Sequence, residues 1–355
     1  MSVSDSRPRP TISDVASKAG VAIGTASKAL SGSGQLRAET RERVLASARE
    51  LGYQPNSLAK SLQSGRTYTV GLMTSDSVGR FNQPLMLGIN DALGAGRMSV
   101  FLCDARGDGV REQYFLDSLI ARQVDGIIVT GWRTDHRPPL GGDRLGVPVV
   151  YAYAHSADPA DVSVLPDDEH GGRLVGEHLV ATGRRRIAVV TGPVDYEAVP
   201  QREAGLRAAL ADAGLEPLPG QVLHGDWSES WGREAVDILL SQQTAFDAVF
   251  CGSDQIARGV ADQLRDRGVK VPTDVALVGF DNWEVFAETT RPPLTSIDMN
   301  MEELGRVAAR RLLDLIDGTP RSGVERLPCR IVVRESSRPS VSSLAPSADE
   351  TAATV

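Results

Sequence analysis

From Thr69 onward the chain alternates short β-branched runs with amphipathic stretches, and this alternation limits the possible folds more than any other feature. The apolar runs are 69–74 (TVGLMT), 98–103 (MSVFLC), 126–130 (GIIVT), 147–152 (VPVVYA), 187–191 (IAVVT), 248–251 (AVFC) and 275–279 (VALVG). Helical patterns fit near 84–95, 111–122, 169–182, 200–213, 229–241, 254–267 and 301–317. Continuous apolar strands followed by helices predict parallel sheets covered on both faces. At least seven strands, with a long polar stretch near 154–168, predict two such sheets rather than one.

The first 66 residues follow a different pattern. Thr11-Ile-Ser-Asp14 is a capping-box start, and Ile12, Val15, Ala16 and Ala19 recur at helical spacing until Gly20. A second short run covers Ile23 to Leu30, and Ser31-Gly32-Ser33-Gly34 reads as a loop. A third helix is expected over Ala38 to Leu51, with Val44, Leu45, Ala48 and Leu51 as its buried stripe and Gly52 as its stop. Charge sets this segment apart. It holds ten Lys/Arg and five Asp/Glu, a net of +5, whereas the remaining 289 residues carry −13 and the whole chain −8. A small basic head on a large acidic body is expected where one module meets a polyanion.

Two short helices, a glycine turn and a third helix form the helix-turn-helix plan, in which the second helix lies in the major groove. Its outer face would carry Ile23, Gly24, Thr25, Ser27 and Lys28. Lys28 can donate to guanine, Ile23 can touch a thymine methyl, and Thr25 and Ser27 suit phosphates or base edges. Thr11, at the start of the first helix, joins this DNA-binding set. Asn56 is a good N-cap for a segment of about eight residues, too short to be a stable helix alone. Leu58, Ala59 and Leu62 share one face of it. Asn56, Lys60 and Leu62 are therefore candidate DNA contacts of a hinge helix, with Leu62 a wedge between minor-groove steps.

These residues resemble a known family. Thr11-Ile-Ser-Asp-Val-Ala-Ser-Lys-Ala-Gly-Val21, Thr25-Ala-Ser-Lys-Ala-Leu30, Thr40-Arg-Glu-Arg-Val44 and Leu51-Gly-Tyr-Gln-Pro-Asn56 look like the head of the lactose-repressor (LacI/GalR) family of bacterial transcription regulators. Further blocks follow in the family's order: Asp125-Gly-Ile-Ile128, Arg184-Arg-Arg-Ile-Ala188, Arg202-Glu-Ala-Gly205, Ser253-Asp-Gln-Ile-Ala257, Val278-Gly-Phe-Asp281 and Pro293-Leu-Thr-Ser-Ile297. The resemblance covers about residues 11–337. It departs at Ala22 and Arg37, where the family usually places a capping Ser, at Ala26, where Val is common, and at Gly24, which offers no side chain.

The resemblance implies a helical head joined to a two-lobed, periplasmic-binding-protein-like α/β body. The expected divisions are a head at 1–56, a hinge at 57–65 and a body at 66–337. The first lobe would hold 66–166 and 295–326, the second 167–294 and 327–337. The Ser/Ala/Pro-rich tail, 338–355, is expected to be disordered. Open α/β sheets bind ligands beyond the carboxyl ends of their strands. Phe81 and Asn82 follow the first strand, Tyr153 the fourth, Asp254 and Asp281 the last two; Arg202 opens a helix, and Trp227 follows a short apolar run. Carboxylates to accept paired hydroxyl bonds, a guanidinium to donate and aromatic faces suit a sugar. Phe81 and Trp227 would equally stack a purine. By resemblance, Arg202 and Asp281 match effector contacts.

The expected function is a DNA-binding transcription regulator, a repressor whose operator affinity is switched by a small-molecule effector, most naturally a sugar. The alternatives are a purine or nucleoside effector, or a sugar-binding protein that does not bind DNA. The expected partners are double-stranded operator DNA, the effector and a second copy of the chain. Leu85, Leu87, Ile89, Met98 and Val100 are the expected dimer surface. No GxSxG, P-loop or HExxH motif is present, so no catalytic residue is assigned. The five histidines lack metal-ligand spacing, and no metal or cofactor is expected. Cys103, Cys251 and Cys329 each sit in an apolar run and are expected to be buried thiols. No stretch reaches 18 uninterrupted apolar residues, and Met1 to Pro10 lacks the apolar core of a secretory signal, so no membrane partner and a cytoplasmic location are expected.

Overall fold

The computed structural model describes residues 10–32, 34–53, 65–75, 79–95, 98–141 and 145–338. The expected hinge at 57–65, with Asn56, Lys60 and Leu62, therefore lies outside the described residues apart from Gly65, as does the tail beyond Arg338. Residues up to Tyr68 and residues from Thr69 onward form two units.

In the first unit, α1 (Ile12–Ala19), α2 (Ile23–Ser31) and α3 (Ala38–Leu51) enclose a small core of Val15, Ala16, Ala19, Ala26, Ala29, Val44 and Ala48. The capping box is present: the Thr11 hydroxyl accepts from the Asp14 amide, and the Asp14 carboxylate accepts from the Thr11 amide at 2.7 Å. Gly20 turns the chain at φ 65°, a left-handed conformation that favours glycine, and the Val21 amide donates back to the Ala16 carbonyl. The residues before α2 and α3, Ala22 and Arg37, make no side-chain cap bond. Each such loss is worth about 1 kcal/mol. The stripe of α3 differs from expectation: Leu45 is exposed and Ser47 is buried instead. Arg43 explains this, since its Nε donates to the Ala19 carbonyl at 3.0 Å and pins that side of α3 to the end of α1.

The second unit contains two six-stranded sheets. The first runs β13-β7-β5-β3-β1-β2 and is parallel throughout. Its strands are β1 (Thr69–Thr74), β2 (Ser99–Asp104), β3 (Gly126–Thr130), β5 (Val149–Ala152), β7 (Val162–Pro166) and β13 (Gly323–Leu327). The second runs β14-β12-β11-β10-β8-β9: β8 (Ile187–Thr191), β9 (Val222–His224), β10 (Ala248–Cys251), β11 (Ala276–Phe280), β12 (Thr295–Asp298) and β14 (Arg330–Val332), the last antiparallel. A two-residue pair, β4 (His136–Arg137) and β6 (His155–Ser156), sits beside the first sheet. Helices α4 (Asn82–Ala95), α5 (Gly109–Ala121), α6 (Asp168–Ala181), α7 (Ala198–Asp212), α8 (Glu229–Ser241), α9 (Asp254–Asp266), α10 (Glu284–Ala287) and α11 (Met301–Ile316) follow in chain order. None of the described helices is long and apolar enough to cross a membrane. Cys103, Cys251 and Cys329 are buried free thiols.

Three expectations need correction. The stretch 154–168 is not a polar divider: β7 is buried along its length and pairs with β5 and β13. Asp158, Asp161, Asp167 and Asp168 around it make the window polar on average and hide the strand. The lobe boundary at 295 is also misplaced. β12 pairs in parallel with β11, so Thr295–Asp298 belongs to the second lobe, and the chain crosses at about 299–300. The third crossing lies at 328–329, since Leu327 still pairs with Pro166. Finally, Leu85 and Ile89 are buried in the core between α4 and α11. The apolar side chains left exposed near the proposed dimer surface are Leu87, Phe101 and Leu102.

Helix pairs in both lobes approach through facing glycines. A Cβ at Gly88 would lie 1.8 Å from the Glu302 carbonyl, one at Gly172 1.9 Å from the Arg202 carbonyl, and one at Gly205 1.8 Å from the Glu169 carbonyl. The pairs α4–α11 and α6–α7 are thus in backbone contact. The second pair places Asp168 and Arg202 side by side.

Candidate functional site

In the first unit, Ala26 and Ala29 face inward from α2, and Ile23, Gly24, Ser27 and Lys28 are exposed. Thr25 is half-buried at the edge of that face. The expected reading face is therefore one contiguous, solvent-facing strip. Thr11 is exposed at the N-terminus of α1, where backbone amides and the helix dipole favour a phosphate. Its hydroxyl is already engaged, donating to Asp14 at 2.8 Å.

In the second unit, the carboxyl ends of the strands frame a narrow cavity. Phe81, Tyr153, Arg202, Trp227 and Asp281 line it, as expected of residues that follow strands. Sequence reasoning missed Arg80, Trp132, Arg133, Thr134, Asp135 and Tyr196, which line it too. One signal was available: Trp132 to Asp135 stand directly after β3, where the same strand-end rule applies.

The lining is aromatic and charged. Phe81 and Tyr153 pack with ring centroids 4.8 Å apart, and Tyr196 lies edge-on to both Trp132 and Trp227. Arg133 stacks over Trp132 and Tyr196, and Arg80 over Phe81. Arg80, from the first lobe, reaches across to Asp281 of the second at 2.8 Å. Tyr153 (φ 52°) and Asp281 (φ 104°) both hold left-handed backbone that side chains rarely adopt, the local strain that tends to gather at ligand sites.

Arg202 is fully enclosed. Its Nε donates to Asp168 at 2.7 Å, its Nη1 donates to the Gly252 carbonyl at 2.6 Å and lies 3.9 Å from Asp281, and its guanidinium covers the Phe280 ring at 3.6 Å. Burial raises the carboxyls of Asp168 and Asp281 above their ordinary value, against the pull of the neighbouring arginines. Asp167 caps α6, accepting from the His170 amide, and Asp168 is free to hold Arg202.

Two expected contacts do not line the cavity. Asp254 accepts from the Trp283 amide at 2.7 Å and from the Ser296 hydroxyl at 2.5 Å, so its oxygens are taken. Desolvation, and next the charge on Asp281, push its carboxyl well up. Ser253, not Asp254, caps α9. Asn82 is buried and accepts from the Thr130 hydroxyl at 3.3 Å, which ties α4 to the end of β3. Chain spacing also hid one histidine cluster: His136 and His155 meet Glu197 at the rim of the cleft.

Comparison with known proteins agrees with these two units. Residues 11–56 match the profile of bacterial regulatory proteins of the lacI family, and residues 177–337 that of a periplasmic binding protein-like domain. The HTH-type transcriptional regulator CelR of Thermobifida fusca is 37% identical over 338 residues, 93% of this chain and 99% of that protein. Among solved structures, a transcriptional regulator CelR–cellobiose complex is 34% identical, covering 92% of this chain and all of the other, with a TM-score of 0.64. A lac repressor dimer bound to operator and the anti-inducer ONPF is 27% identical, covering 94% and 100%, with a TM-score of 0.73.

Proposed function

The chain belongs to the lacI family of bacterial regulatory proteins, and on that premise we infer that it is a sequence-specific transcriptional repressor whose hold on operator DNA is switched by a sugar bound in the cleft. The observation that carries the reading is the cleft itself: five aromatic rings, three arginines and Asp281 on the same chain as a helix-turn-helix head. Aromatic faces take the C–H side of a sugar ring, and charged groups take its hydroxyls. The solved complex of CelR with cellobiose supports the sugar over a purine. The division into a head to about residue 56, a hinge at 57–65 and a two-lobed body belongs to this reading, as do a homodimer and the DNA contacts Ile23, Thr25, Ser27, Lys28, Asn56, Lys60 and Leu62.

The switch is a matter of linkage. Arg80 and Asp281 join the two lobes across the cleft. A sugar hydroxyl entering between them exchanges that ion pair for two ligand contacts, and so binds one lobe angle better than another. Operator affinity shifts by that difference and by no more.

Asp281→Asn keeps the shape of the side chain and removes its charge. Bonds to charged groups are worth about 1.5–3 kcal/mol. Calorimetry against a panel of mono- and disaccharides that includes cellobiose should show one sugar bound by the wild type, and that sugar bound more than tenfold more weakly by Asp281→Asn. Operator affinity without sugar should shift as well, because the variant breaks the ion pair with Arg80 that joins the lobes. Nucleosides binding where no sugar does would overturn the sugar reading. Lys28→Ala should weaken operator binding by about 1–3 kcal/mol and relax sequence preference in a gel-shift titration. Equal losses on operator and random DNA would remove Lys28 from base readout.

A further inference from the structure

The cluster at the cleft rim is assembled from both lobes. His136 on β4 and His155 on β6 are register partners in the two-residue parallel pair of the first lobe, and their rings lie 3.6 Å apart. Glu197 stands in the second lobe, immediately before α7. Its two carboxylate oxygens face the two Nδ1 atoms, Oε1 at 3.2 Å from His136 and Oε2 at 3.4 Å from His155. One donor atom from each of the three residues falls within 4.8 Å of the others. We propose that His136, His155 and Glu197 form a site for a divalent transition-metal ion of the Zn²⁺ type, which fastens the two lobes together at the mouth of the cleft.

The donor chemistry selects the ion. Two imidazoles and a carboxylate suit zinc and its neighbours, and disfavour Mg²⁺ and Ca²⁺, which want oxygen alone. The spacing suits it too. Bonds of about 2.0–2.2 Å set neighbouring ligands in a tetrahedron about 3.3–3.6 Å apart, and the donor atoms here, within 4.8 Å of one another, need close only slightly to reach that spacing. A fourth position would be left to water. Supporting contacts hold the ligands in place: Asp135 accepts from the Glu197 amide at 2.6 Å, and the Ala157 amide donates to the Arg137 carbonyl, bracing β4 against β6. Two cations lie in the neighbourhood. Arg133 is paired with Asp135 at 2.9 Å, and Arg326 exerts a positive field on His155 but bonds to Gln201. The Glu197 charge is the group aimed into the site.

The test uses the full chain, freed of metal with a chelator, dialysed and titrated with ZnCl₂ alone by calorimetry. Co²⁺ serves as a second probe through its visible absorption. One ion per chain is expected, with affinity falling about tenfold or more in His136→Ala, His155→Ala and Glu197→Gln. His136 is half-exposed, so His136→Ala can be made without disturbing the core. His224→Ala, which breaks the separate His224–Glu203 pair, should bind Zn²⁺ as the wild type does. Zn²⁺ should also raise the thermal midpoint of the wild type, and not that of Glu197→Gln. Wild-type affinity in His136→Ala and Glu197→Gln, or no saturable binding by the wild type, would overturn the site. Neither outcome depends on which sugar the cleft takes.

Discussion

Arg202→Ala should lower the stability of the body by about 3–5 kcal/mol, the usual cost of leaving a buried charge without its partner. The side chains of Asp168 and Asp281 are both buried beside Arg202, and one Asp168 oxygen already lacks a hydrogen-bond partner. The substitution also strands the Gly252 carbonyl and empties the space over the Phe280 ring. The loss should depend on pH, with a definite sign. Burial already holds the folded Asp168 carboxyl above its unfolded value of 3.8, and the arginine opposes that rise. Without Arg202 the folded value climbs further. A carboxyl raised in the folded state contributes stability that is present below the unfolded pKa and lost as pH rises through the folded one. Urea melts should therefore show a deficit at pH 8 that shrinks towards pH 5. Arg202→Lys keeps a charge but cannot serve Asp168 and Gly252 from one planar fork, so it should fall between. An equal deficit at both pH values would mean that the loss is one of packing rather than charge. Arg202→Ala thus cannot report on the sugar alone.

Gly205→Ala should be nearly as damaging. The added methyl would sit 1.8 Å from the Glu169 carbonyl, and a backbone atom cannot turn away as a side chain can. Helices α6 and α7 must separate, at a cost of about 1–3 kcal/mol or more. The effect should reach the cleft, because α6 carries Asp168 and α7 carries Arg202, whose ion pair spans the two helices. Gly172→Ala, which meets the Arg202 carbonyl itself, should behave the same way. Gly94→Ala is the control. It lies in α4 with nothing within 4 Å of its Cβ, and alanine there should be neutral or stabilising by up to about 1 kcal/mol. A denaturant midpoint for Gly205→Ala equal to that of the wild type would show that the helices part without cost.

Much of the architecture was legible because its signals are local. Strand β1 occupies 69–74 as its apolar run predicts, and α3 spans Ala38–Leu51 as its periodicity and Gly52 predict. Short strands of mixed composition were not. β7, β12, β13 and β14 owe their place to partners far along the chain; Ser163, Thr295 and Ser296 are buried there by pairing, not by hydrophobicity. For the same reason the lobe boundary at 295 was misplaced by about five residues.

The candidate site divides along the same line. Phe81, Tyr153, Arg202, Trp227 and Asp281 were found by one rule, that ligands bind where strands end, and that rule needs only the order of elements. Asp254 obeyed it and still failed, because the Trp283 amide and the Ser296 hydroxyl, 29 and 42 residues away, claim its oxygens.

The sequence by itself determined the class of fold, the presence of a helix-turn-helix head and the strip of α2 it exposes, since each follows from periodicity over one or two turns of chain. Only the tertiary structure decided which charges meet. Arg80 faces Asp281 across 201 positions of chain, and Glu197 meets His136 and His155 from the opposite lobe. Coulomb and hydrogen-bond energies depend on distances of a few ångströms, and those distances are set by how the lobes pack.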